Sequence, residues 1–157
     1  MSPFAYCPLV WMFCSRQADN LLNATHFKAL RVRFNDFTSS FDNLLKKSES
    51  ISIHTKNLQL MLSKVYKTLN HLNPPMMWEF FEYKTFNKYS LRRGNNLEIP
   101  TARSTSAVNS FDFRAVMAWN QLSDNIKCAD TLSEFNTKVR KIKIYCTCVN
   151  CTFQCMR

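Results

Sequence analysis

Glycine is nearly missing: Gly94 is the only one in 157 residues. Loops that cradle phosphate need several glycines where the backbone meets the ligand, so P-loop and dinucleotide fingerprints are excluded. The same scarcity leaves few tight turns and favours helices over a β-sandwich. Carboxylates are thinly spread as well. Asp19, Asp36, Asp42, Asp112, Asp124 and Asp130 are never adjacent. Two-metal phosphoryl transfer needs at least two acids converging on ions roughly 4 Å apart. His26, His54 and His71 lie far apart, and none neighbours a nucleophile in a recognised motif. Long apolar runs are absent too. The run from Phe4 to Phe13 is too short to span a bilayer and is soon followed by Arg16. No Lys or Arg precedes it, as a signal peptide requires. The sequons at Asn23 and Asn150 carry little weight alone.

What is present is apolar and basic. Hydrophobic residues make up 46% and include 13 Phe, which is enough for a core in a chain of single-domain size. The formal net charge is +10. Residues 1–50 carry about +2, 51–100 about +4 and 101–157 about +4, so no single tail dominates. A basic surface attracts polyanions, nucleic acid foremost; the competing reading is charge kept for solubility.

The patterning predicts a mainly α fold, a small helical bundle. Residues 1–83 form a helical segment and 84–109 an irregular basic linker. Residues 110–144 hold two helices, and 145–157 a flexible Cys-rich tail. Within 4–34, Leu9, Phe13, Ala18, Leu21 and Leu22 recur at helical spacing, and Thr25 is a candidate N-cap. A short helix is expected in 37–47, capped by Thr38 or Ser39, with Phe41, Leu44 and Leu45 inward. Leu58, Leu62, Val65, Leu69 and Leu72 make one stripe on a helix over 55–72, ended by Asn73-Pro74-Pro75. Met76, Met77, Trp78, Phe80 and Phe81 follow on a short helix that either plugs the core or forms a contact patch. Arg93-Gly94-Asn95-Asn96 reads as the turn of a small hairpin over 89–100, pairing Tyr89–Leu91 with Leu97–Pro100. Residues 101–107 read as loop. Ser110 caps a helix to Leu122, and Thr131-Leu132-Ser133-Glu134 is a capping box. That last helix turns Leu132, Phe135, Val139 and Ile142 to one face.

The candidate binding residues are basic. Lys84, Lys88, Arg92, Arg93 and Arg103 stand in the irregular stretch, and Lys138, Arg140, Lys141 and Lys143 on the last helix. Arginine pairs with phosphate through two donors, and Tyr83, Phe86 and Tyr89 are available to stack on bases. A solvated face beside core aromatics fits the same residues. Cys146, Cys148, Cys151 and Cys155 are the candidate metal ligands, since four thiolates suit Zn²⁺. Their close spacing, with no glycine and no histidine among them, favours a reduced, flexible tail. An odd total of 7 cysteines argues against a secreted disulfide framework.

Four blocks in this order carry a resemblance: Cys7–Arg16; the Asn-Leu-Leu-Asn-x-x-His-x-x-Ala-Leu-Arg pattern at 20–31; Tyr89–Gly94; and Ala118–Leu122 with Ile126-Lys127. Together they resemble the C-terminal end of reverse transcriptases encoded by jockey-like non-LTR retrotransposons. The usual Trp-Asn-x-Leu-Pro of that family departs here at Ser123. The Cys-x-Cys-x-x-Cys ending is similar to tails in the family. The resemblance implies a parent RNA-directed DNA polymerase whose fingers and palm, with their catalytic aspartates and Mg²⁺, lie upstream of a truncated frame beginning at Met1. It implies no catalysis by this chain alone and no cofactor of its own beyond zinc in the tail. The partners it implies are RNA or DNA and the lost palm, in the nucleus or cytoplasm and not in a membrane. A stand-alone interaction or structural domain, or a non-functional gene product, are the other classes.

Overall fold

The computed structural model describes residues 16–84 and 95–142. Among them the fold is mainly helical: α1 (Arg16–Phe34), α2 (Phe41–Lys47), α3 (Ile53–Leu69), a 3₁₀ turn (Pro75–Phe80), α4 (Thr105–Val108), α5 (Phe111–Asn120), α6 (Asp124–Lys127) and α7 (Leu132–Lys141). No helix among the described residues is long and apolar enough to cross a membrane.

Serine and threonine start these helices. Ser40, Ser52, Ser104, Ser110 and Thr131 each accept a backbone N–H from the first turn of the helix that follows. For α2 the cap is therefore Ser40, and neither Thr38 nor Ser39. Those two donate to Asp36 Oδ1 instead, at 3.3 and 3.0 Å from their amides. Thr25 caps nothing. It lies inside the unbroken 19-residue α1, and its hydroxyl donates to Leu21 O at 2.8 Å. At α7 the box is displaced by one residue. Glu134 accepts from the amide of Asp130 and not from that of Thr131. The stretch 101–107, expected as loop, contains the start of α4.

The ends of the helices show how the chain manages with so little glycine. Asn35, Glu49 and His71 take positive φ of 48°, 51° and 55°. Each is the left-handed residue of a Schellman motif. Asp36 N bonds to Arg31 O, Ser50 N to Leu45 O and Leu72 N to Lys67 O, at 3.1, 3.0 and 2.7 Å. The third motif closes α3 at Leu69, ahead of the prolines, so Leu72 leaves the stripe and is 58% exposed.

Two apolar clusters result. The larger takes Leu58, Met61, Leu62, Val65 and Tyr66 from α3, Ala115, Val116 and Trp119 from α5, and Phe135 and Val139 from α7. Tyr66, Phe135 and Trp119 stack, with ring centroids 4.5 and 5.8 Å apart. The Tyr66 hydroxyl donates to Ala129 O at 2.7 Å. Burial, then Asp130 and Glu134, push its pKa up. The smaller cluster joins α1 to α2 through Leu30, Leu44 and Leu45, with Phe27, Phe34 and Phe41 packed on it. Leu21 of α1, one of the apolar residues at helical spacing, is 70% exposed. Between the clusters the chain runs through Ser48–Ser52 and the left-handed Glu49.

Candidate functional site

Two places gather polar chemistry. The first is a clamp on the segment Asn95–Leu97. The Trp119 indole donates to Asn95 O at 2.9 Å. Asn120 accepts from Leu97 N at 2.8 Å and donates to Leu97 O at 3.0 Å, so its amide copies a strand neighbour. The Lys127 ammonium donates to Asn96 Oδ1 at 2.6 Å, and Asn95 Nδ2 to Cys128 Sγ at 2.9 Å. Lys127 is buried, which lowers its pKa despite Asp124 and Cys128. On its other side the segment meets Tyr83 in an isolated antiparallel bridge, with Lys84 N on Asn96 O and Glu98 N on Glu82 O.

The expected hairpin pairs 97–100 with 89–91, and 89–91 lie outside the described residues. Leu97 itself meets Tyr83 and the side-chain amide of Asn120, the last residue of α5.

The second place is a groove of about 890 Å³. His26 and Arg33 come from α1, Glu49 and Ile51 from the α2–α3 connection, Lys56, Asn57 and Leu60 from α3, and Asn136 and Arg140 from α7. Its walls thus belong to both clusters. Ser63 Oγ lies 2.5 Å from Asn136 Oδ1 and ties α3 to α7. Arg33, Lys56 and Arg140 are exposed, and among the described residues none of them forms an ion pair. Glu49 is the one carboxylate in the lining. Among the described residues His26 Nδ1 is buried without a hydrogen-bond partner, its ring edge-on to Phe41 at 5.6 Å. Burial, helped by Lys56, lowers its pKa, so the ring is neutral at pH 7.

The basic residues singled out in the sequence are scattered by the fold. Arg140 alone of them lines the groove. Lys138 is engaged elsewhere, 2.6 Å from Glu134 Oε1 and donating to Asn125 O at 2.9 Å. Arg103 and Lys141 are exposed, and Lys84 is exposed beside the clamp. Lys88, Arg92, Arg93 and Lys143 lie outside the described residues, as do Cys146, Cys148, Cys151 and Cys155. Among the described residues no three metal-ligating side chains come together. Sequence reading missed Arg33, Lys56 and His26. They sit on three turns of two helices with no shared local pattern, and only the tertiary packing unites them.

Several large apolar side chains are also exposed. Met76, Trp78, Phe80, Tyr83 and Ile99 are 81, 39, 49, 52 and 50% accessible, whereas Phe81 plugs the larger core at 6%. No family model, no curated protein and no solved structure matches this chain.

Proposed function

We propose that this chain is the helical post-palm segment of a non-LTR reverse transcriptase, catalytically incomplete, which retains contact with nucleic acid. The ancestry rests on the ordered blocks at 7–16, 20–31, 89–94 and 118–127. The binding role rests on one observation above the others: three exposed cations without carboxylate partners share one groove. A phosphate backbone gains from each such cation by releasing counterions. Two of the described carboxylates have other employment. Asp36 accepts from Thr38 and Ser39, and Glu134 from Lys138 and Asp130. A role inside the cell, where nucleic acid is met, accompanies this reading.

The test is oligonucleotide binding across roughly 50 to 200 mM salt, with magnesium-dependent primer extension run in parallel. Affinity should fall linearly on logarithmic axes, and no extension should occur. Extension by the chain alone, or an affinity indifferent to salt, would overturn the proposal.

A second reading, an interaction domain, is favoured by the exposure of Met76, Trp78, Phe80, Tyr83 and Ile99. The two are compatible if these side chains once met a palm. Dye binding that Met76→Ser and Phe80→Ser abolish is expected. A monodisperse chain that binds no hydrophobic dye would count against it.

A further inference from the structure

We propose that the groove between α1, α3 and α7 is a binding site for single-stranded polynucleotide, with Arg33, Lys56 and Arg140 on its phosphates. This inference rests on the nucleic-acid reading above and gives it an address.

Three features select the ligand. The cations come from different elements and converge on one cavity, which suits a phosphate chain threading past them better than a single compact anion. The lining between them is mixed. Leu30, Ile51 and Leu60 offer apolar surface, and Asn57, Gln59 and Asn136 offer amide groups. Unpaired bases present both a face to cover and edges to hydrogen-bond, whereas a duplex hides its faces in the stack. The size of about 890 Å³ falls in the range of small-ligand pockets, room for one or two nucleotides at a time. The buried, unpartnered Nδ1 of His26 gives the site one further polar atom awaiting a partner. Glu49 opposes the ligand, so its charge is a built-in brake.

The walls belong to separately packed clusters, which gives binding a mechanical consequence. A strand held by Arg33 on one side and by Lys56 and Arg140 on the other bridges the α1–α2 hairpin to the main core. The connection through Glu49 then loses freedom on binding.

The experiment compares two triple variants of equal net charge. One is Arg33→Gln, Lys56→Gln and Arg140→Gln; the other is Lys28→Gln, Lys46→Gln and Lys64→Gln, exposed and outside the groove lining. Circular dichroism melts confirm that both fold. Probes are fluorescent oligo-rU and oligo-dT, a duplex of the same length, and UMP as competitor. The groove triple should lose more than about tenfold in affinity for single strands and lower the salt slope by about 2, since each contact contributes ~0.7. The control triple should lose under about threefold. Glu49→Gln should tighten binding, which a purely structural role for this residue would not produce. Preference for rU over dT, or the reverse, identifies the sugar. UMP displacing the strand at micromolar concentration would instead make the free nucleotide the ligand and overturn the strand assignment. Equal losses in the two triples, or tighter binding of duplex, would overturn the groove while leaving nucleic-acid binding standing. Absence of binding to every oligonucleotide would remove both.

Discussion

The clamp on Asn95–Leu97 and the groove beside α1 treat polar side chains in opposite ways. In the clamp, Trp119, Asn120, Lys127 and Asn95 are each spent on a named partner within 3.0 Å. In the groove, Arg33, Lys56 and Arg140 have no carboxylate partner, and His26 Nδ1 no hydrogen-bond partner, among the described residues. Satisfied groups hold backbone in place. Unsatisfied ones are available to a ligand. Trp119-Asn120 and Ile126-Lys127 fall in or beside the clamp, whereas His26, Ala29 and Leu30 of the 20–31 pattern line the groove.

The largest effect should come from the clamp's anchor. Trp119 is 2% exposed and stacks on Phe135. Trp119→Ala should cost about 3–5 kcal/mol in urea unfolding. Trp119→Phe should cost much less, because it keeps the packing and loses only the bond to Asn95. Next comes Asn120→Leu, which strips both partners from the backbone of the fully buried Leu97 and should cost about 2–3 kcal/mol. Asn120→Asp should also destabilise, since a carboxylate would face Leu97 O. An Asn120→Leu variant as stable as the parent would dissolve the distinction between the two regions. Neutralising Lys56 or Arg140 should shift stability by less than about 0.5 kcal/mol, because these side chains are exposed and form no ion pair among the described residues; Arg33, over the Phe34 ring at 5.3 Å, should cost slightly more.

The regular part of this fold was legible in the sequence. The stripe Leu58–Leu62–Val65 and the face Phe135–Val139 are buried as their spacing demands, and Ser110 and Thr131 cap as read. Boundaries went astray where two residues offered the same chemistry. Ser40 caps because it stands directly before Phe41 and its hydroxyl reaches Asn43 N, while Thr38 and Ser39 belong to the turn held by Asp36. The end of α3 was hidden for a different reason. A left-handed cap normally announces itself with glycine, and here His71 fills that position. The contacts of Leu97 with Tyr83 and Asn120 left no local trace, because both partners are remote in sequence. The groove was illegible on the same grounds. Its cations come from α1, α3 and α7, and no local pattern links them.

Smaller effects sharpen the groove side. His26 binds its proton less readily when folded than the ordinary 6.5 of an imidazole, through burial first and Lys56 second. The folded state therefore resists protonation. Stability supplied by the neutral ring is complete above pH 6.5 and falls as the pH drops through the folded value. Urea titrations at descending pH should show this decline, and it should be absent in His26→Phe. Lys56→Gln should raise the His26 value in a proton NMR titration. Asp36, held at about 2 by Ser39 and Thr38, adds a second decline between roughly pH 4 and pH 2. One change should be a gain. Glu49→Gly relieves a left-handed glutamate and should stabilise by about 0.5–1 kcal/mol. It also removes the groove's carboxylate, so affinity for single strands should rise with it.

Hydrogen–deuterium exchange with and without a single-stranded oligonucleotide tests the contrast most directly. Binding should slow exchange in residues 26–33, 49–60 and 136–140, which line the groove, and leave 95–97 and 119–128 unchanged. Protection confined to 95–97 and 119–128, with the groove unaffected, would show that the clamp and not the groove meets the ligand.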